Sequence, residues 1–517
     1  MGHIEEILNQ IIKGKIQDKF SLQEFKKKAA IKFHLKELPS DSDLLEKAGG
    51  HRDRVLHILK KKPTRTMSGV AVVAVMTKPA KCPHGMCIYC PGGIEINTPQ
   101  SYIGKEPAAM RGIQYKFDSY TQTISRIKQL EEIGHSCDKI ELIVMGGTFT
   151  AQPLAYQRDF VKGCFDAMNG KIAKDLIDAH KANERARYRC IGLTIETRPD
   201  WCKERQIDSM LNMGCTRVEL GVQNPDDHVY SLVKRGHTTV DVIESTRLLK
   251  DSLLKVNYHM MPGMPGSDFD KDLKMFKKIF ESDNFKPDML KIYPCLLVKP
   301  EFGQPELHQM YQKKEWTPYT DDQAAELIAE VKKSVPRWVR IMRIQRDIPT
   351  PYIQDGVKAT NLRQMIDEKM KKKGIKCNCI RCREIKNERP AEAKLLRQDY
   401  DASGGKEIFL SFEDTTKDRL LGFLRLRKPA KPFRPEIDDR TMGVRELHVY
   451  GPMVEINKKG KAVQHQGYGE QLMREAERIA REEWDAKKLA VISGVGVREY
   501  YYKLGYRRDG PYVSKPL

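Results

Sequence analysis

Residues 68–93 read SGVAVVAVMTKPAKCPHGMCIYCPGG: an apolar, β-rich run that breaks into a polar turn and then three cysteines. Those cysteines, Cys82, Cys87 and Cys90, stand at C-x4-C-x2-C spacing. The same order of events recurs downstream. KIELIVMGG, CIGLTIET, RVELGVQN, KVNYHMMPG and MLKIYPCLLV are further strand-like runs, separated by amphipathic stretches such as YTQTISRIKQLEEIG and VDVIESTRLLKDSLL. Six strand-then-helix units predict a parallel (β/α) array closed wholly or partly into a barrel. Functional residues of such an array belong at the C-terminal ends of its strands. There the sequence sets the cysteine triplet after the first strand, GGTF (146–149) after the second and ETRPD (196–200) after the third. Gln223 ends the fourth, HMMPGMPG (259–266) the fifth, and Lys291 and Tyr293 of LKIYP the sixth.

A chain of 517 residues is too long for one ordinary core, and two to four domains are expected. With 40% hydrophobic and 31% charged residues it is a globular chain, which excludes a disordered one. The apolar run 70–76 is far too short to cross a bilayer, and MGHIEE offers no apolar signal region, so a cytoplasmic chain without a membrane partner is expected. The net charge of +21 favours a polyanionic partner. Its cations cluster at 26–28, 60–62, 369–373 and 425–431, and Arg340, Arg343 and Arg346 suit phosphate contacts. Residues 1–66 form a helical, basic region: Ile4, Ile7, Leu8, Ile11 and Ile12 recur at helical spacing, and SLQE at 21–24 offers a capping box.

Six of the twelve cysteines are scattered singly, as buried reduced thiols would be, and six form two triplets. In a cytosolic chain such triplets suggest metal. Three thiolates can hold a 4Fe–4S cluster at three irons and leave the fourth open to a substrate. The alternative at Cys82, Cys87 and Cys90 is zinc with His84 as fourth ligand. Cys377, Cys379 and Cys382 of KCNCIRC lie in a polar, lysine-rich linker, 351–398, and suit a structural zinc. Beyond it, 399–517 turns to strands, including RELHVYG, and then to QHQGYG (464–469) opening an amphipathic helix. Free backbone amides at Gln464, Gln466, Gly467, Tyr468 and Gly469 suit a pyrophosphate.

These motifs carry a resemblance. A cysteine triplet after the first strand, glycines after the second and a parallel barrel over 67–350 resemble the radical S-adenosylmethionine (SAM) superfamily. The Q-x-x-G-x-G loop followed by YYYKLGY (500–506) resembles the GNAT acetyltransferase fold, an α+β domain. Together with IVMGGTF, GLTIETRPDWC, RVELGVQ, VRELHVYG and ISGVGVREYYYKLGY, the chain is similar to the Elongator catalytic subunits. The first gap departs from the superfamily's usual C-x3-C-x2-C by one residue. The resemblance implies cluster ligation by Cys82, Cys87 and Cys90, SAM contacts from Gly146, Gly147, Thr148, Glu196 and Gln223, and acetyl-CoA on 464–469. It implies that Tyr501, with Tyr500 beside it, faces the thioester sulfur, and that Lys291 and Tyr293 face the barrel mouth. The activity implied is conversion of a tRNA wobble uridine to 5-carboxymethyluridine by a SAM-derived radical and acetyl-CoA. The implied partners are the tRNA anticodon stem-loop and either a second copy or Elongator-type subunits. A protein lysine acetyltransferase with a structural metal cluster is the rival reading. Glu196 has its own alternative, a strand-end carboxylate paired with Arg198.

Overall fold

The computed structural model describes residues 2–61, 69–345, 348–386, 388–451 and 467–517. Its first part is a four-helix cluster, His3–Ile12, Lys19–Lys32, Asp41–Lys47 and Arg52–Leu59, closed around Ile7, Leu22, Leu44, Val55 and Leu59. The capping box lies three residues earlier than SLQE suggests. Asp18 caps the second helix, its carboxylate accepting from Ser21 N at 2.7 Å, while Ser21 Oγ accepts from Asp18 N at 3.2 Å. Lys26 is buried against Asp41 at 2.6 Å, so the 26–28 cluster gives its first member to the core and not to a polyanion.

The second part is a parallel half-barrel. β1 (Ala71–Met76), β2 (Lys139–Met145), β3 (Arg189–Thr197), β4 (Arg217–Gln223), β5 (Lys255–Met260) and β6 (Met289–Ile292) pair in sequence order. A short strand β7 (Leu297–Val298) leaves the sheet, and β8 (Arg340–Ile344) then adds a seventh parallel strand beside β6. The sheet is open, since β1 and β8 are its two edges. Alternation sorts the faces: Val218, Leu220, Val256 and Tyr258 point outward under helices, while Arg217, Glu219 and His259 share the inner face. β8 comes from RIMRI, whose arginine spacing masks a strand; Arg340 pairs with Glu384 at 2.9 Å instead of standing in solvent.

Residues 351–398 pack tightly. β9 (Ile353–Asp355) pairs with β7, and helix Leu362–Lys372 lies against helix Asp321–Ser334, where Lys369 reaches Asp322 at 2.7 Å and Lys373 reaches Glu330 at 2.8 Å. Ile380 N donates to Val339 O at 3.0 Å and Ile385 N to Leu420 O at 3.0 Å, stitching the barrel edge to the next domain. That domain is a second seven-stranded sheet: β10 (Lys394–Ala402), β11 (Gly405–Asp414), β12 (Arg419–Lys428), β13 (Thr441–Val449), β14 (Lys488–Val491), β16 (Tyr512–Pro516) and β15 (Arg507–Asp509). Among the described residues of this sheet only β13 and β14 pair in parallel, and their register stops at Val444 and Val491, so the strands part beyond it.

The two sheets meet without a gap. Gly494 lies so close to Ile191 O of β3 that a side chain would strike the backbone. Arg425, Arg427 and Arg445 are fully buried at this junction, Arg445 gripping Asp288 at 2.5 and 2.9 Å and Arg427 meeting Asp251 at 2.6 Å. The first members of the 425–431 basic run therefore hold the domains together and present no basic surface. Among the described residues, no helix is long and apolar enough to cross a membrane.

Candidate active site at the barrel mouth

The C-terminal ends of β1 to β6 and β8 surround one cavity, which includes Cys82, Cys87, Cys90, Gly147, Thr148, Glu196, Gln223, Lys291 and Tyr293. The structure brings these residues, taken from separate strand ends, to one cavity. Each thiol has a different neighbour. Cys82 Sγ lies 3.6 Å from Thr148 Oγ1 and Cys90 Sγ lies 3.2 Å from Ser101 Oγ. Cys87 Sγ has His84 Nε2 at 3.1 Å and accepts from Arg235 Nη1 at 3.5 Å. Burial, then Arg198 and Arg235, lowers the His84 pKa to about 3, so the ring is neutral. Its Nε2 lies 2.9 Å from Arg198 Nη1 and accepts that donor, while Nδ1 is buried without a partner.

Sulfur spacing separates the two triplets. The Sγ atoms of Cys377, Cys379 and Cys382 all lie within 4.8 Å of one another; those of Cys82, Cys87 and Cys90 do not converge so far among the described residues. Zinc–sulfur bonds of about 2.3 Å draw tetrahedral thiolates to about 4 Å apart. A cluster spreads its three thiolates over three different irons. The second triplet is gathered closely enough for a single ion, whereas the first is spread more widely and leaves room for separate irons. In the second, hydrogen bonds from Cys377 and then Cys382 hold the Cys379 thiol well below its ordinary range.

At the end of β2 the chain turns through Gly146 (φ 131°) and Gly147 (φ 72°). A side chain on Gly146 would run into Thr77 Oγ1. The turn thus brings bare backbone to the cavity wall. Glu196 accepts from Tyr102 Oη at 3.0 Å and lies 3.6 Å from Lys291 Nζ. It does not pair with Arg198, which is bidentate to Asp200 at 2.9 and 3.0 Å. Gln223 holds φ 67°, and its buried Oε1 has no partner, an acceptor aimed at the cavity.

The centre is Glu219, wholly buried, which joins Lys291 Nζ and accepts His259 Nε2 at 2.7 Å. Burial works to raise its pKa, yet Lys291 and His259 hold it well below the carboxylate range. Glu196, Glu219 and His259 also lie within metal-ligating reach of one another, but the Lys291 ammonium already supplies their cation. Tyr293 covers His259 edge-on, ring centres 5.5 Å apart. Arg198, Glu219 and His259 belong to the strand ends singled out in the sequence without a role assigned to them, and Arg235 is new. The signal for Glu219 and His259 was inward alternation on β4 and β5; Arg235 sits in the short VKRGH turn (233–237), which carries no metal-ligand or glycine-loop spacing.

In the second domain, Gly467 (φ 77°) caps helix Tyr468–Glu482, so Tyr468 and Gly469 open the helix as expected; Gln464, Gln466 and Arg346 lie outside the described residues. Tyr501 is buried in the core, whereas Tyr500 is 39% exposed. The Tyr500 hydroxyl stands 3.0 Å from where a β-carbon on Gly469 would lie. Of the two tyrosines, Tyr500 faces the glycine loop.

This geometry defines a class: a radical SAM half-barrel joined to a GNAT domain. Family profiles agree, with ELP3 N-terminal domain at 1–67, Radical SAM superfamily at 77–279, Radical_SAM C-terminal domain at 287–372 and Acetyltransferase (GNAT) family at 378–506. The chain belongs to the Elongator complex protein 3 family. It is 53% identical to a tRNA uridine(34) acetyltransferase of Methanocaldococcus infernus over 99% of this chain and 98% of that one. It is 44% identical to human Elongator complex protein 3 over 99% and 96%. A solved structure of M. infernus Elp3 lacking its N-terminus superposes with TM-score 0.77 at 51% identity, covering 87% of this chain and all of that one.

Proposed function

We propose that the chain is a tRNA-modifying enzyme that attaches a carboxymethyl group at C5 of the wobble uridine, drawing the carbon from acetyl-CoA. One observation carries the reading: a cysteine triplet and a glycine turn open onto the same cavity as Lys291, Glu219 and His259, in a chain whose second domain opens a helix at Gly467. Uridine C5 is a poor nucleophile, so an acetyltransferase alone does not suffice and the hard step belongs to a cofactor. Cys82, Cys87 and Cys90 would hold a 4Fe–4S cluster, which together with SAM would supply a radical strong enough to take hydrogen from the acetyl methyl.

The chain's own residues bind and orient. Gly146 and Gly147 let backbone reach the SAM amino end beside Thr148, and the carboxylate of Glu196 and the unpartnered amide of Gln223 take further SAM contacts. Lys291, held charged by Glu219 against the pull of burial, presents donors to a uracil carbonyl or the thioester oxygen. The helix N-terminus at Gly467–Gly469 accepts the CoA pyrophosphate. When water attacks the thioester carbonyl and leaves a carboxylate, Tyr500, facing that loop, protonates the departing CoA thiolate, with Tyr501 packing behind it at 5.1 Å. Zinc at Cys377, Cys379 and Cys382 pins the segment that crosses from barrel to GNAT sheet. The partners are a tRNA anticodon loop, where unstacking a base costs least, and further Elongator-type subunits, in the cytoplasm.

The test is an anaerobic reaction with methyl-deuterated acetyl-CoA, SAM, dithionite and a tRNA transcript. Deuterium in 5′-deoxyadenosine together with a carboxymethyl mass on uridine is the expected result. Consumption of acetyl-CoA with SAM intact would overturn the reading in favour of a lysine acetyltransferase with a structural cluster.

A further inference from the structure

The Cys87 sulfur takes a hydrogen bond directly from a cation. Cys82 and Cys90 face hydroxyls, Thr148 Oγ1 at 3.6 Å and Ser101 Oγ at 3.2 Å. Cys87 faces a guanidinium, that of Arg235. This arginine is built into the wall and is only 7% exposed. Its Nη2 donates to Gly221 O in β4, its backbone carbonyl accepts from Arg198 Nη1 at 2.8 Å, and its backbone N donates to Tyr230 O at 2.9 Å. Gly221 has no room for a side chain because Nη2 would lie 2.7 Å from its β-carbon, and Gly236 is similarly pressed onto His84. The neighbouring Arg198 has its carboxylate, Asp200. Among the described residues no carboxylate stands within 4.0 Å of Arg235, and its Nε has no partner.

A buried cation without a counter-ion is costly and is retained where an anion completes it. The anion within reach is the Cys87 thiolate. We propose that Arg235 is the counter-charge of the Cys87 ligand and raises the reduction potential of the cluster bound there. A reduced cluster carries one more negative charge than an oxidised one. A fixed cation and an N–H···S bond in a water-poor wall therefore stabilise the reduced form more. Arg235 is a positioning residue in this sense: it acts on electron uptake through the sulfur and touches neither uridine nor acetyl-CoA. The inference rests on the cluster assignment made above, and one experiment separates the two.

The full chain and its Arg235→Met and Arg235→Lys variants are reconstituted anaerobically with iron and sulfide. Metal content and visible absorption report loading, and an EPR-monitored redox titration reports the midpoint potential. The expected result is equal loading, a clearly more negative midpoint in Arg235→Met and a smaller shift in Arg235→Lys, whose point charge cannot bridge Gly221 O and the sulfur together. SAM cleavage by Arg235→Met then fails with dithionite and recovers with a stronger reductant such as titanium(III) citrate. Equal midpoints in loaded proteins overturn the inference and leave the cluster assignment standing, while absence of a cluster from the parent overturns both. If Arg235→Met holds no cluster, Arg235→Gln, which keeps a donor and loses the charge, decides by the same titration. Failure of both to load at unchanged thermal stability shows that Arg235 builds the site, and overturns the tuning role.

Discussion

The half-barrel buries charge at both ends, and the ends differ in how that charge is answered. At the N-terminal end, Asp288 before β6 and Lys250 and Asp251 before β5 meet Arg425, Arg427, Arg445, Glu407 and Glu446 of the second sheet. Of the side chains just named, four cations (Lys250 and three arginines) face four carboxylates, and the partly exposed Arg247 adds a further contact to Asp251 at 3.6 Å. At the C-terminal end, Lys291, Arg198, Arg235 and Arg343 line a cavity with three thiols, and buried polar atoms such as Gln223 Oε1 and Arg235 Nε stand without partners. The first end answers its charges with the chain's own side chains, although Arg425 Nη1 there also lacks a hydrogen-bond partner. The second is built around groups that the chain does not supply. The contrast is the one expected of parallel barrels, stability at the bottom and chemistry at the top.

The largest expected effect tests the closed end. Asp288→Ala leaves Arg445 and Lys250 without their carboxylate, and breaking a buried pair costs about 3–5 kcal/mol. Chemical unfolding should show that loss, with cluster loading of the folded fraction unchanged. A loss below about 1 kcal/mol would mean that the junction is wetter than its geometry indicates. Acid should attack the same end. Burial would raise the Asp288 pKa, but Arg445 and Lys250 hold it well below the usual carboxylate value of 3.8. A depressed carboxylate contributes stability that is fully present above the unfolded value and lost as pH falls through the folded one. Unfolding free energy should therefore drop steeply below pH about 4 and less steeply in Asp288→Asn; identical slopes would sink the assignment.

At the open end, Lys291→Met removes the cation shared by Glu219 and Glu196. Uridine modification should fall by about a hundredfold or more, the usual cost of losing an oriented charged donor, while global stability changes less than in Asp288→Ala. Activity within a few-fold of the parent would take Lys291 out of the site. Gly146→Ala sits one step lower: the substituted turn collides with Thr77 and is strained at φ 131°. SAM cleavage should weaken about tenfold, for an expected strain of about 1–3 kcal/mol, with acetyl-CoA binding unaffected. A parallel loss of acetyl-CoA binding would show that the damage spreads beyond the cavity.

Much of the open end was legible because its chemistry needs local spacing. Cysteine triplets, a Gly-Gly turn and a Q-x-x-G-x-G loop are short patterns, and strand alternation told where they gather. What stayed hidden was non-local. Glu219 looks in sequence like any strand-end carboxylate; only the fold shows Lys291, 72 residues later, and His259, 40 residues later, closing on it. Arg235 stands 148 residues from Cys87. The closed end misled for the opposite reason. LRLRKPAKPFR reads as a basic surface, yet period-two alternation in β12 turns Arg425 and Arg427 into the junction, where Asp251, Asp288 and Glu407 neutralise them. Charge composition says how many cations a chain has, and pairing across domains decides how many face a polyanion.

The smallest effect asks which tyrosine belongs to an open site and which to a closed core. YYYKLGY offers three, and the resemblance points to the middle one, Tyr501. Tyr501 is 6% exposed, set edge-on between Tyr500 at 5.1 Å and Tyr506 at 6.0 Å. Tyr500 turns its hydroxyl to the glycine loop, and burial raises its pKa to about 12, so it is a protonated donor at neutral pH. If Tyr500 gives the proton to the CoA thiolate, Tyr500→Phe should slow acetyl-CoA turnover by about tenfold or more, with its binding preserved. Tyr501→Phe, which removes one hydroxyl from a packed ring, should shift stability by less than about 1.5 kcal/mol and turnover hardly at all. The reverse pattern, a kinetic loss in Tyr501→Phe alone, would mean that the core around Tyr501 opens when acetyl-CoA binds. The GNAT pocket would then belong with the barrel mouth, as a surface completed only by its ligand.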